Sequence, residues 1–413
     1  MDKISLYVHI PFCMKKCDYC DFLSGVYDER TEEQYVYHLC QEIRFLGNRM
    51  KDRKVETVYI GGGTPTWLHL REMEKILKTL RDSFSLSSTA EFTIECNPGT
   101  VTEEKLKTYR MYGINRLSIG LQSARERELQ CLGRVHTLER FYHTYDIARK
   151  VGYGNINVDL MTGLPGQRLD DLLYTLEHVI RLRPSHISAY ALMIEEGTPF
   201  YERYQSDVRR REAGEETLEL PDEDLEYQLY KMTQHVLIDH GYEQYEISNY
   251  ARPGYRCDHN CIYWTRGDYL GLGIGAASLV GHHRGTNVSD MEEYMRRCHL
   301  LATEGEQALW QEEEIALMQT EGFVSPLWDG MQSLSRREEM EEFMFLGLRM
   351  NQGVTRQSFE TAFGCRMEGI YGSELKKLKQ EGMLEMENGR LFLTEQGRDL
   401  SNYVLAHFLI EQA

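Results

Sequence analysis

The sequence predicts an α/β protein whose strands and helices alternate through the first 240 residues, followed by a smaller helical, winged-helix-like domain. Three observations carry this reading. Short β-rich apolar runs are separated by longer stretches with apolar residues at i, i+3 and i+4. The unusual motifs fall at the C-terminal ends of the predicted strands: "HIPFC", "GGGTPT", "ECNP", "GLQS" and "DLMTGLPGQ". The last stretch, "LKKLKQEGMLEMENGRLFLTEQG", reads as a helix and two short strands joined at Asn388-Gly389. Six βα units in series imply a parallel sheet, either an open doubly wound sheet or a full or partial barrel. In either form the C-terminal strand edge is where ligands bind, so the motifs converge on one mouth.

In chain order, the predicted strands are 4–10, 55–61, 91–96, 116–121, 156–161 and 186–192. Helical stretches between them include "TEEQYVYHLCQEIRFLGNRM", "REMEKILKTLRDSF" and "LERFYHTYDIARKVG", and Thr102 followed by Glu103 and Glu104 marks a helix start. Residues 198–224 are charged and loop-like, with a helix beginning near Asp222. The Tyr- and Gly-rich segment 241–290 shows no clear period; within it "LGLGIGAAS" reads as close backbone packing beside the mouth rather than a nucleotide loop. From about 336 the pattern is helical again. The expected division is a barrel core over 1–240, a capping region over 241–335 and a winged-helix-like domain over 336–413. The mixed charge around the wing favours structural packing over nucleic-acid contact.

The 413 residues are 41% hydrophobic, enough for a sizeable core, and carry a net charge of −18. That charge argues against a general nucleic-acid binder. No apolar leader or run of about 20 apolar residues is present, so a cytoplasmic protein is expected. In a reducing compartment clustered thiols read as metal ligands or redox groups. Cys40, Cys96, Cys131, Cys298 and Cys365 stand alone and read as small core residues.

Cys13, Cys17 and Cys20 form C-x3-C-x2-C. Zinc, an iron–sulfur cluster and coincidence are the alternatives. A structural zinc site closes with four ligands, commonly in two pairs, and His9 is the only nearby fourth ligand here. Three thiolates on a four-iron cubane would leave one iron open to a small molecule.

This cysteine motif after a first strand, with "GGGTP" after the second, resembles the radical S-adenosylmethionine (SAM) superfamily. The resemblance implies a partial (βα)6 TIM-like radical SAM barrel, a [4Fe-4S] cluster on Cys13, Cys17 and Cys20, and SAM chelated by the open iron. Glycines at the second strand end would leave backbone free to meet the methionine amino group. The likeness narrows to the coproporphyrinogen dehydrogenase (HemN-like) branch and its haem-chaperone relatives, the HemW group, over nearly the whole chain. It implies that Tyr7, Gly62, Gly63, Thr64, Glu95, Gln122, Arg134 and Asp159 contact SAM, a carboxylate taking ribose hydroxyls and the arginine pairing with the methionine carboxylate.

Two features separate the relatives. The dehydrogenase branch has a further cysteine two residues after the third cluster cysteine, where this chain has Phe22. "DHNCIYW", residues 258–264, matches the H-N-x-x-Y-W motif associated with haem binding by the chaperones. A neutral imidazole is a good axial ligand and aromatic rings can cover a porphyrin face, so His259, Tyr263 and Trp264 become haem candidates. Cys257 and Cys261 offer a competing thiolate. His136, His143, His186, His282 and His283 read as ordinary structural histidines. The resemblance implies a haem chaperone that binds the cluster, SAM and haem and passes haem to acceptor haemoproteins. Membrane respiratory enzymes are candidate acceptors, which would place the protein at the membrane periphery. The alternative is a radical enzyme acting on a porphyrin, a coproporphyrinogen dehydrogenase or a haem-modifying methyltransferase. No residue is assigned a catalytic role, and a homodimer is left open.

Overall fold

A computed structural model describes residues 2–309, 323 and 325–409. Six strands, β1 (Asp2–Ile10), β2 (Arg53–Gly62), β3 (Leu86–Cys96), β4 (Arg116–Gln122), β5 (Asn155–Thr162) and β6 (His186–Ala191), pair in parallel and in chain order. Every one of them overlaps a predicted strand. Their core-facing Val, Ile and Leu side chains pack against the connecting helices in one large apolar cluster.

The helices begin where the sequence supplies a cap. α1 (Glu29–Arg49) starts at Asp28, whose carboxylate accepts from the Thr31 N–H, and α2 (Leu70–Ser83) follows β2. α3 (Glu103–Met111) starts at Thr102, which accepts from Lys105 N–H. α4 (Glu126–Cys131), α5 (Leu138–Val151) and α6 (Leu169–Leu182) complete the crossovers. The charged stretch expected to be loop is instead a helix from 199 to 212, α7 (Pro199–Glu212), capped by Thr198. Its surface is so polar that no clear apolar stripe marks it. α8 (Glu223–Asp239) starts at Asp222, as its sequence predicts.

The segment without a clear period extends the sheet at both ends. β7 (Glu243–Gln244) and β8 (Asn249–Ala251) form a hairpin antiparallel to β6. After α9 (Asp258–Trp264), β9 (Tyr269–Leu272) runs parallel beside β1, and β10 (Ala277–Val280) and β11 (His283–Asn287) continue outward. α10 (Met291–Thr303) then packs on α1, and β12 (Trp328–Ser333) forms the far edge. The resulting twelve-stranded mixed sheet runs from β12 to β7 without closing among the described residues.

The glycines of "LGLGIGAAS" do serve close packing. A Cβ on Gly271 would lie 2.3 Å from the Ala277 carbonyl. Gly273 has φ +96° and abuts the Tyr35 hydroxyl. Its N–H donates to the buried Glu42, which also accepts from Asn287 Nδ2 and the Tyr294 hydroxyl, joining α1, β9, β11 and α10.

Residues 336–408 have their own apolar cluster. Helices 336–347, 356–363 and 367–380 pack with a small sheet whose strands, 354–355, 384–387 and 390–393, lie between and after them in the chain. The hairpin turn at Asn388-Gly389 takes φ +50° and +77°, as an Asn-Gly turn does.

Candidate functional site

At the C-terminal strand ends a cavity of about 500 Å³ opens, a volume suited to a small organic ligand. Cys13, Cys17 and Cys20 line it together with Gly62, Gly63, Thr64, Glu95, Gln122, Arg134 and Asp159. The motifs of five strands thus converge on one mouth. Among the described residues no three His, Cys, Asp or Glu side chains meet closely enough for a single metal ion. Three thiols around one cavity, without a fourth protein ligand, suit a polynuclear cluster better than structural zinc.

His9 is no ligand candidate. Its Nε2 donates to the Leu23 carbonyl at 2.8 Å, so its Nδ1 accepts from the Tyr7 hydroxyl at 3.0 Å. Burial holds it neutral. It pins the far end of the cysteine loop to β1.

The glycines also serve close packing around the cysteine loop. Gly62 has φ +112°, and a Cβ there would strike the His9 ring at 2.5 Å. Gly63 donates to the Ile10 carbonyl, and a Cβ on it would lie 2.8 Å from the Phe12 carbonyl and 3.0 Å from Cys13 Sγ. Thr64 N–H donates to Phe12 and its hydroxyl lies 3.7 Å from Cys13 Sγ. At Gly63 the absent Cβ makes a seat for the cysteine loop. Gly62 N–H is likewise engaged, by Glu95 at 3.1 Å.

Glu95 also accepts from the Tyr59 hydroxyl at 2.9 Å. Burial, reinforced by nearby Asp159, pushes its carboxyl up to about 7. Asp159, raised by burial, accepts from Ser118 at 2.9 Å and from Asn157 at 2.8 Å. Gln122 sits at φ +70° beside a register shift in β4, a strained backbone that re-aims a side chain at a ligand cavity. Arg134 donates to Asn97 and, at 2.8 Å, to the Gly120 carbonyl, with Nη1 3.6 Å from Cys17 Sγ. A cationic fork beside the thiols is well placed for a carboxylate.

Tyr7 departs from expectation: it does not line the cavity but lies behind it, stacked on Tyr59 at 6.4 Å. Tyr59, Asn97 and Ser118 line it instead and were not singled out in the sequence. Tyr59 had a signal, the period-2 alternation Thr57, Tyr59, Gly61 along β2. Phe22, 60% exposed, forms part of the cavity wall with Lys15, Lys16, Tyr190 and Met193.

The H-N-x-x-Y-W motif is elsewhere. It forms α9, packed against the lower half of β2 and β3. His259 is 1% exposed; Nδ1 pairs with Thr57 Oγ1 at 2.8 Å and Nε2 with the Tyr263 hydroxyl at 2.9 Å. Burial, with Arg116 adding to it, pushes its pKa down to about 3. Its ring stacks on Tyr59 at 5.2 Å. Glu91 accepts the Asp258 and His259 N–H groups and the Cys257 thiol, and Arg116 lies 4.0 Å away. Trp264 packs with Tyr245, Ala251 and Met350 under the Arg349 guanidinium. The candidate imidazole is thus buried, with both nitrogens engaged. Burial also raises both competing thiols, Cys261 up to about 12. His186, read as an ordinary structural histidine, is buried and bridges Asn157 and Tyr245.

The radical SAM superfamily model matches residues 7–179 and the HemN C-terminal domain model residues 334–400. The haem chaperone HemW of Bacillus subtilis (strain 168) is 34% identical over 98% of this chain and 99% of its own. That of Escherichia coli (strain K12) is 40% identical over 67% of this chain and 70% of its own. The solved coproporphyrinogen III oxidase HemN of Escherichia coli, a radical SAM enzyme, shares the fold with TM-score 0.78, 23% identity and coverage of 99% and 90%. With the cysteine loop, the strand-end cavity and the C-terminal domain all in place, this chain belongs to the HemW family of the radical SAM superfamily.

Proposed function

We propose that this chain is a haem chaperone that binds a [4Fe-4S] cluster, SAM and haem and delivers haem to acceptor haemoproteins. The observation that carries the reading is Phe22 on the cavity wall, where the dehydrogenase branch supplies a further thiol. The names of the full-length relatives support it. Cys13, Cys17 and Cys20 would hold the cluster, and Arg134, Gln122, Glu95 and Asp159 are the polar groups available to SAM. When bound, the cluster supplies an open iron for SAM and a low-potential electron source. Glu95 and Asp159 can take ribose hydroxyls, and Arg134 the methionine carboxylate. Haem ligation by His259 requires one ring nitrogen to give up its partner, Nε2 leaving the Tyr263 hydroxyl or Nδ1 leaving Thr57, while the other can stay paired. The acceptors would be haemoproteins, membrane respiratory enzymes first among those to test. Among the described residues no helix is long and apolar enough to cross a membrane.

The test uses anaerobically reconstituted protein, titrated with haemin and separately supplied with SAM and coproporphyrinogen. Haem binding without porphyrin turnover is expected. His259→Ala should shift the haem absorption spectrum, whereas Cys257→Ala and Cys261→Ala should leave it in place. Conversion of coproporphyrinogen to protoporphyrinogen at an enzymatic rate would make the protein a dehydrogenase and sink the chaperone reading.

A further inference from the structure

Two buried routes run from the cavity to the motif helix α9. In the first, Glu95 faces the cavity and accepts the Tyr59 hydroxyl on Oε1 and the Gly62 N–H on Oε2. The face of Tyr59 lies on the His259 imidazole, 5.2 Å between centroids and 26° between planes. In the second, Asp159 accepts from Asn157 Nδ2 at 2.8 Å, and Asn157 Oδ1 meets His186 Nδ1 at 2.6 Å. His186 Nε2 meets the Tyr245 hydroxyl at 2.8 Å, and that hydroxyl accepts the Cys257 N–H at 3.3 Å, at the start of α9. Both routes begin at a carboxylate available to a ligand's hydroxyls and end on the motif.

Away from the cavity wall both routes run through packed interior, and packed interiors change between discrete arrangements rather than bending continuously. The motif has such an arrangement here: His259 is docked, with Thr57 on one nitrogen and Tyr263 on the other. A ligand that draws Glu95 or Asp159 toward the cavity competes directly with Tyr59 and Asn157 for those carboxylates. Any differential affinity of that ligand for docked and released motif becomes a coupling, and the coupling is reciprocal.

We propose that filling the SAM cavity releases the H-N-x-x-Y-W helix, with Tyr59 and Tyr245 as the positioning residues that carry the coupling. The proposal rests on the haem-chaperone reading for its purpose but not for its test. Tyr59 acts through its hydroxyl on Glu95 and its ring on His259. Tyr245 acts from beneath, by holding the N–H of Cys257, the residue that caps the helix, and does not line the cavity.

The experiment uses the full chain with its cluster reconstituted. Hydrogen–deuterium exchange of residues 258–264 is measured with and without SAM, and the haemin dissociation constant is measured in the same two states. SAM should speed exchange in 258–264 and tighten haemin binding by about 5-fold or more, the lower end of ordinary allosteric coupling. Haemin should tighten SAM by the same factor. In Tyr59→Phe and Tyr245→Phe the factor should fall below about twofold, a change in coupling that simple loss of stability does not produce. If SAM binds while exchange and haemin affinity stay unchanged, the coupling is wrong and the chaperone reading survives. If haemin never binds but SAM still speeds exchange in the wild type and not in the variants, the coupling stands and the chaperone reading falls.

Discussion

The two ends of the parallel strands hold similar residue types in opposite states. At the upper end, thiols, carboxylates, an arginine and a strained glutamine surround open space. At the lower end, His259, Cys257, Glu91, Arg116, His186 and Tyr245 are buried against one another, and most of their polar atoms are paired. Polar groups are hydrogen-bonded at both ends, but those of the upper end also face a cavity while those of the lower end face only one another. The residue types therefore do not say which end receives a ligand first. The cavity does.

The largest effect should come from the upper end. Replacing Cys13, Cys17 and Cys20 together with alanine should take iron and sulfide from about four of each per chain to near zero. Cys40→Ala, in the core, should leave them in place. Because these thiols anchor little of the apo fold, circular dichroism of the cluster-free triple variant should match that of the cluster-free wild type. A triple variant that keeps a full cluster would erase the contrast between the two ends.

The lower end should show the reverse, a loss of stability. Glu91→Ala removes the acceptor of two helix N–H groups and leaves Arg116 buried beside it. Breaking a buried charged pair costs about 3–5 kcal/mol, readable as a lower urea midpoint of unfolding. A change within about 0.5 kcal/mol, the range of surface substitutions, would mean that the lower end is not the packed unit its hydrogen bonds describe.

The smallest effect is a pH slope. Glu95 titrates near 4.5 when unfolded and is pushed up to about 7 by burial first and Asp159 second. The folded state therefore holds a proton that the unfolded state has lost across that window. Its contribution to stability is present below about pH 4.5 and is lost as pH rises to about 7. In cluster-free protein, Glu95→Gln should flatten the fall in melting temperature between pH 5 and about pH 7.5. An unchanged slope would take the raised carboxyl out of the upper end.

The six core strands were legible because both faces of a parallel sheet are buried, so each reads as a dense Val, Ile and Leu run. The strand-end motifs were legible because a parallel fold brings such ends to one edge. β9 was not: four residues, "YLGL", give no measurable alternation, and its place beside β1 depends on tertiary pairing. α7 hid in a charged run. The packing role of Gly63 was not legible, because sequence shows that a Cβ is unwelcome and not which neighbour refuses it; here that neighbour is the cysteine loop. The motif around His259 was found as a string, but its burial beneath the cavity rests on Thr57, Glu91 and Tyr245, residues distant in sequence and unremarkable in type.

The position of β9 also bears on how the chain is made. β1 pairs with β2 on one side and with β9 on the other, and Asp268, just before β9, joins Arg53 and accepts from the Ser5 N–H. Synthesis runs from the N-terminus, so β1 through β6 emerge long before residue 269 exists. During that interval β1 is an edge strand with an unpaired row of amide groups, the kind that templates aggregation. Nascent chains cut short before 269 should therefore depend on chaperones or aggregate more than those extended past 333, which add β9 to β12 outside β1.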